Sequence, residues 1–168
     1  LINYNDINLI QEKILKTNNN NIISAVEFWD SNCQKLFNKE KNNNYEVLIE
    51  LAADSETEIN KCLEDIANLN ADVSLLNSKQ TNELWSKREE IPVKLADLNA
   101  YKLDICIPIK NLKSYLNEIY KIDLDKEVYC FGHLGDGNVH VNIVSDTNLE
   151  ILKSKIYELT ISLIGSPR

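Results

Sequence analysis

Residues 130–144 read CFGHLGDGNVHVNIV, two short, mainly apolar runs around an Asp-Gly step at 136–137. Asp-Gly is among the pairs most favoured at the centre of a two-residue type I′ turn, which predicts a β-hairpin here. So tight a turn joins antiparallel strands, which argues against an all-parallel sheet. Counting outward from it sets Gly135 opposite Asn138, Leu134 opposite Val139, and His133 opposite His140. These are the chain's 2 histidines. Directly opposed residues stand about 4.5–5.5 Å apart at Cβ, near enough for two imidazoles to share one ion. Phe131 and Asn142 fall on the histidines' face, whereas Cys130, Gly132, Val139, Val141 and Ile143 fall on the other and suit packing under helices. Two nitrogens do not complete a zinc shell of about four ligands, so a further donor is needed. The plainer reading keeps both histidines as half-buried strand residues, and a wider turn would shift the register.

Outward from the hairpin, strands and helices interleave. Strands are predicted at 22–28, 45–52, 71–77, 101–109, 127–134 and 138–144 from alternating or β-branched runs. Helical spacing predicts helices at 6–16, 30–37, 55–70, 79–98, 112–120 and 148–164. Ser55 and Glu58 stand at capping-box spacing, and Pro92 is expected to bend or split its helix. No G-x-G-x-x-G or P-loop occurs, as a dinucleotide-binding sheet would require. The expected class is therefore α+β: an antiparallel sheet flanked by helices in a ferredoxin-like split-βαβ arrangement, with room for two such units. No strong internal repeat in the sequence marks a duplication.

Composition narrows the functional classes. The chain has 168 residues, 43% of them hydrophobic and 26% charged, enough for one domain with a proper core. A net charge of −8 without any Lys/Arg cluster argues against nucleic acid. No apolar run reaches the roughly 20 residues of a membrane helix. Cys33, Cys62, Cys106 and Cys130 show no C-x-x-C spacing and read as reduced, mostly buried thiols of an intracellular protein, cytoplasmic or, in a eukaryote, of the mitochondrial matrix. The chain has no Met and is expected to be a piece of a longer polypeptide, with residues 1–21 an N-terminal helix and Asn-rich linker and 22–168 the main domain.

The block GHLGDGNVHVN (132–142) resembles the G-H-x-G-D-G-N-x-H-x-N signature of FAD-linked oxidases with a vanillyl-alcohol-oxidase-type flavin domain. More narrowly it is similar to their D-2-hydroxyacid dehydrogenase branch, which includes D-lactate, glycolate and D-2-hydroxyglutarate dehydrogenases. SAVEFWD (24–30), LIELAADSE (48–56), LWSKREEIP (84–92) and YKLDICIPI (101–109) support the resemblance in the same order, covering most of the chain from residue 22. The resemblance implies the substrate, or cap, domain of such an enzyme, truncated at its C-terminus and lacking the flavin domain of the same polypeptide. It implies His133 and His140 as ligands of a divalent metal, zinc favoured, and Arg88, Lys102 and Asn142 as binders of a small 2-hydroxy acid. The FAD would be held mainly by the other domain. No catalytic residue is assigned within the fragment: the third metal ligand and the base for the hydroxyl proton are expected in a Glu-His block beyond residue 168. The isolated piece is expected to be inactive.

The residue types suit those roles. Arg grips a carboxylate with a planar fork, and Lys adds a compact charge. Asp104, two residues after Lys102, is placed to pair with it, and Trp85, Tyr101 and Phe131 read as packing. Two rival readings stand beside the oxidoreductase: a non-catalytic module that binds a metal or a small carboxylate, and a metal-dependent hydrolase. The hydrolase lacks an H-E-x-x-H helix, and Asp136, the acid beside the hairpin, is needed by the turn.

Overall fold

The computed structural model describes residues 1–4, 7, 22–37, 45–68, 72–122, 127–145 and 149–164. In chain order its elements are β1 (Ile2–Tyr4), β2 (Ile23–Trp29), α1 (Ser31–Lys35), β3 (Tyr45–Leu51), α2 (Glu56–Ala67), β4 (Asp72–Val73), α3 (Ser78–Asp97), β5 (Tyr101–Cys106), α4 (Leu112–Ile119), β6 (Glu127–His133), β7 (Asn138–Val144) and α5 (Leu149–Ile164). Among the described residues the strands form one 7-stranded sheet, ordered β4-β1-β3-β2-β6-β7-β5, with every neighbouring pair antiparallel. The expected α+β class with an antiparallel sheet is what the chain adopts.

The strand order contains the split-βαβ arrangement twice. β4-β1-β3-β2 is the ferredoxin-like order, and β6-β7-β5 repeats its β2-β3-β1 part. The two units abut at β2 and β6, where Glu27 faces His133, Phe28 faces Gly132 and Trp29 faces Phe131. The sheet also includes β1, which lies ahead of the Asn run and was not expected as a strand.

Each face of the sheet has its own core. On one, Phe28, Val47, Cys130, Val139 and Val141 pack with Cys62 of α2, Leu116 of α4 and Ile156 of α5. Fully burying one such aliphatic or aromatic side chain contributes about 1.5–3 kcal/mol, so this layer carries much of the stability. On the other face, Trp29, Leu48, Tyr129 and Phe131 are covered by Leu84, Ile91 and Leu95 of α3. Beyond that cover, Lys102, Asp104 and Cys106 remain exposed and His133 half-buried. The four cysteines are free; Cys33, Cys62 and Cys130 are buried and Cys106 is exposed.

Several local expectations are corrected. Pro92 does not split its helix, because α3 runs unbroken over Ser78–Asp97. Leu84 on one side of Pro92 and Leu95 on the other dock into the same core, and that packing outweighs a penalty of roughly 3 kcal/mol. Ser55 does cap α2 by position, but its side chain makes no capping hydrogen bond. The true capping box is at α3, where Asn77 Oδ1 accepts from Gln80 N and Gln80 Oε1 accepts from Asn77 N, both at 3.0 Å. The strand expected over 71–77 shrinks to Asp72–Val73. The helix expected over 6–16 lies outside the described residues, apart from the fully buried Ile7.

The hairpin forms, but its register differs by two residues. His133 faces Asn138 and His140 faces Phe131, so the histidines are diagonal neighbours, not a directly opposed pair. Leu134–Gly137 make a four-residue loop in place of the two-residue turn. Long-range bonds set that length: Leu134 N donates to Val26 O at 2.9 Å, and Ile107 N donates to Gly137 O at 3.0 Å. Leu134 is thereby drawn wholly into the core. Because side chains alternate with period two, a shift of two leaves every residue on its expected face.

Candidate functional site

The face that carries the histidines gathers polar side chains from five elements. His133 ends β6, His140 and Asn142 lie on β7, Lys102 and Asp104 on β5, Glu27 on β2 and Arg88 on α3. Register explains the gathering: Lys102 faces Asn142, Asp104 faces His140, and Glu27 faces His133. The ring centroids of His133 and His140 are 6.1 Å apart with planes at 74°. They share one face as diagonal neighbours across the β6–β7 pair.

Each histidine is held by a carboxylate, and each carboxylate also holds a cation. Glu27 Oε1 bonds His133 Nδ1, while Glu27 Oε2 accepts from Arg88 Nε at 2.9 Å. Asp104 Oδ1 bonds His140 Nδ1, and Asp104 Oδ2 lies 3.5 Å from Lys102 Nζ. The expected Lys102–Asp104 pair is therefore present. The first relay is enclosed, with the Glu27 side chain 5% and the Arg88 side chain 11% exposed, whereas Lys102 is 52% exposed. Arg88 Cζ also sits 4.7 Å from the centre of the Phe131 ring, which fixes the guanidinium plane. Phe131 thus packs, as expected, and supports the arginine as well. The His140 hydrogen bond holds the Asp104 carboxyl below the ordinary carboxylate range, with Lys102 adding to the effect against a smaller cost of burial.

What the arrangement offers follows from the atoms left over. With Nδ1 engaged by a carboxylate, each imidazole has Nε2 for another partner, which is how metal-binding histidines are oriented. The donor set therefore fits two positions of a divalent metal's shell. Among the described residues no group of three or more His, Cys, Asp or Glu stands ready to hold an ion, so two imidazoles are what this chain brings together. Arg88 spends Nε on Glu27, and its terminal nitrogens are further donors of the same guanidinium. Asn142 is 3% exposed and its Nδ2 has no hydrogen-bond partner, an unmet buried donor on the same face. A cleft of about 420 Å³ opens beside His133, lined by Ser24, Glu27, Gly135 and Asp136 among others. The hairpin's Asp136 serves its loop, accepting from Asn138 N at 2.9 Å.

Glu27 is the site residue that sequence reasoning missed. It lies in SAVEFWD, quoted for resemblance without any role for the acid. The signal was available: a single acid among Val26, Phe28 and Trp29 on a buried strand needs partners, because an unpaired buried charge is too costly to keep.

Comparison with known proteins agrees with the family resemblance of the sequence. The family model described as "FAD linked oxidases, C-terminal domain" matches residues 2–164. A mitochondrial D-2-hydroxyglutarate dehydrogenase of Arabidopsis thaliana is 28% identical over 90% of this chain and 31% of its own length. The Bos taurus protein of the same name is 32% identical over 86% of this chain and 30% of its own, and that of Danio rerio 29% identical over 86% and 31%. The chain thus spans under a third of these relatives' length.

Proposed function

The chain belongs to the C-terminal domain family of the FAD linked oxidases, and from that premise we propose that it forms the substrate- and metal-binding part of a flavin-dependent dehydrogenase oxidising a D-2-hydroxy acid to a 2-oxo acid. One observation carries the reading: two carboxylate-oriented imidazoles and two cations, from α3, β5, β6 and β7, meet on one sheet face. In this reading the free nitrogens of Arg88 grip the substrate carboxylate, and Lys102 and Asn142 supply further donors. His133 and His140 hold a divalent metal, and we favour zinc because imidazole suits it and tetrahedral shells accept two such ligands. When bound, the flavin supplies the hydride acceptor and the metal supplies charge that eases loss of the hydroxyl proton. The third metal ligand and the base belong, in this proposal, to the rest of the polypeptide.

Among substrates we favour D-2-hydroxyglutarate over D-lactate. Two separate cations suit an acid with two carboxylates, and the relatives carry D-2-hydroxyglutarate in their names. Those relatives are also named mitochondrial, which favours the mitochondrial matrix over the cytoplasm for this protein. Among the described residues no helix is long and apolar enough to cross a membrane.

The test is anaerobic mixing of the full-length polypeptide with each acid. D-2-hydroxyglutarate should bleach its oxidised flavin faster than D-lactate, and the L-enantiomer should leave it coloured. His133→Ala should lower both metal content and turnover. Absence of bleaching by any D-2-hydroxy acid overturns the proposal, and a full-length protein that binds metal but no flavin supports the non-catalytic module instead.

A further inference from the structure

Glu27 touches both halves of the site at once, one oxygen on the metal-ligand candidate His133 and the other on the anion-gripping Arg88. Asp104 repeats the pattern between His140 and Lys102. We propose that Glu27 is a positioning residue that couples metal binding to substrate binding, by orienting His133 while neutralising Arg88 until a metal arrives. The inference rests on the metal and substrate reading above and deepens it.

The argument is one of charge and of donors. Arg88 and Lys102 bring two positive charges to the face, while Glu27, Asp104 and the rim residue Asp136 bring three negative ones. Without a metal the site carries no positive excess, so a dianionic acid has little to draw it in. A divalent cation on the imidazoles reverses that balance, and the anion then binds to Arg88 and Lys102 against a positive field. Glu27 is the stronger of the two couplers because it is enclosed: its carboxylate is 5% exposed, against 57% for Asp104, and solvent screens it far less.

A carboxylate is required for the double task. Arg88 Nε–H and, in the tautomer that frees Nε2, His133 Nδ1–H are both donors, and each needs an oxygen. A glutamine of the same shape offers one oxygen and one NH2, so one of the two partners must face another donor. It also removes the negative charge that quenches Arg88. The two consequences have opposite signs, which a purely structural role would not produce.

The experiment uses the full-length protein and two simple probes, Zn2+ alone and malonate as a non-reacting dicarboxylate, with both affinities read by calorimetry. In Glu27→Gln, Zn2+ should bind about 10–100-fold more weakly, the usual cost of losing a carboxylate behind a metal-bound imidazole. Malonate should bind the metal-free variant severalfold more tightly than the metal-free wild type. Should Glu27→Gln fail to fold, Glu27→Asp keeps the charge but shortens the reach; it should lose Zn2+ affinity without gaining malonate affinity. An unchanged Zn2+ affinity in the folded variant overturns the inference, as does a parallel fall in both affinities. If Zn2+ binding vanishes in His133→Ala but is untouched in Glu27→Gln, this inference alone fails. If the wild type binds no Zn2+, the metal reading fails with it.

Discussion

Gly132, Gly135 and Gly137 lie within a six-residue stretch, yet a methyl group added to each would meet different surroundings. On Gly137, whose φ is +74°, it would come within 2.1 Å of the Ile107 carbonyl oxygen. On Gly132 it would come equally close to the Asn138 carbonyl oxygen, whereas on Gly135 it would meet nothing within 4 Å. Gly137→Ala should therefore cost about 2 kcal/mol or more, from the left-handed backbone and the backbone clash together, and Gly135→Ala no more than about 0.5 kcal/mol. Denaturant midpoints of the two variants check this. The histidines, Arg88, Lys102 and Asn142 were legible singly because each is a conspicuous chemical type within a quotable block. Glu27 was not, since its meaning depends on a helix residue 61 positions away. Nor was the diagonal placement of the histidines, because local turn preference says nothing of the Val26 and Ile107 backbone groups that widened the loop.

Elements were easier to read than their ends. Strand alternation and helical spacing located β2, β3, β5, β6 and β7 and the helices α2 to α5, because burial of one face imposes those periods. Caps were harder. Ser55 and Glu58 have the right spacing without the bonds, while Asn77 and Gln80, which the eye passes over, make both. Asn77→Ala should accordingly destabilise the protein by about 1 kcal/mol, by leaving the α3 N-terminus without its acceptor, and Ser55→Ala by no more than a few tenths. Thermal melts of the paired variants decide between spacing and geometry. The cap bears on the proposed site, because α3 carries Arg88 and loosening its first turns would loosen the floor on which Arg88 and Phe131 meet. β1 escaped because a strand of 3 residues is too short to show a period, whereas β4 was located but shrank from the expected seven residues to 2.

At the scale of the whole molecule the two ferredoxin-like units share no visible repeat. Topology asks each unit for alternation and for a sequence of elements, and quite different residues satisfy both: Glu27-Phe28-Trp29 on one side of the seam, Phe131-Gly132-His133 on the other. Three facing pairs alone would make a narrow join, and Asp30 widens it. Its backbone N–H donates to Cys130 O at 2.9 Å, and its buried carboxylate accepts from Cys33 N, Cys130 N and Tyr120 Oη, each at 2.7 Å. Asp30→Ala strands those donors at 1–3 kcal/mol apiece and should cost about 3 kcal/mol or more in unfolding free energy. Burial pushes the Asp30 carboxyl above the ordinary carboxylate range, although the hydrogen bonds from Cys33, Tyr120 and Cys130 oppose it. The sign of the pH effect follows. The folded state holds this proton more tightly than the unfolded state, so the contribution is complete below the ordinary carboxylate pKa and is lost as pH rises through the raised value. Asp30→Asn cannot ionise, and its amide nitrogen must face one of the three donors, so it should be less stable than the wild type in acid. The gap between the two should narrow as pH climbs toward neutrality, read as denaturant midpoints across that range. A gap that widens instead would mean that the three donors outweigh burial and that the carboxylate is charged wherever the protein is folded.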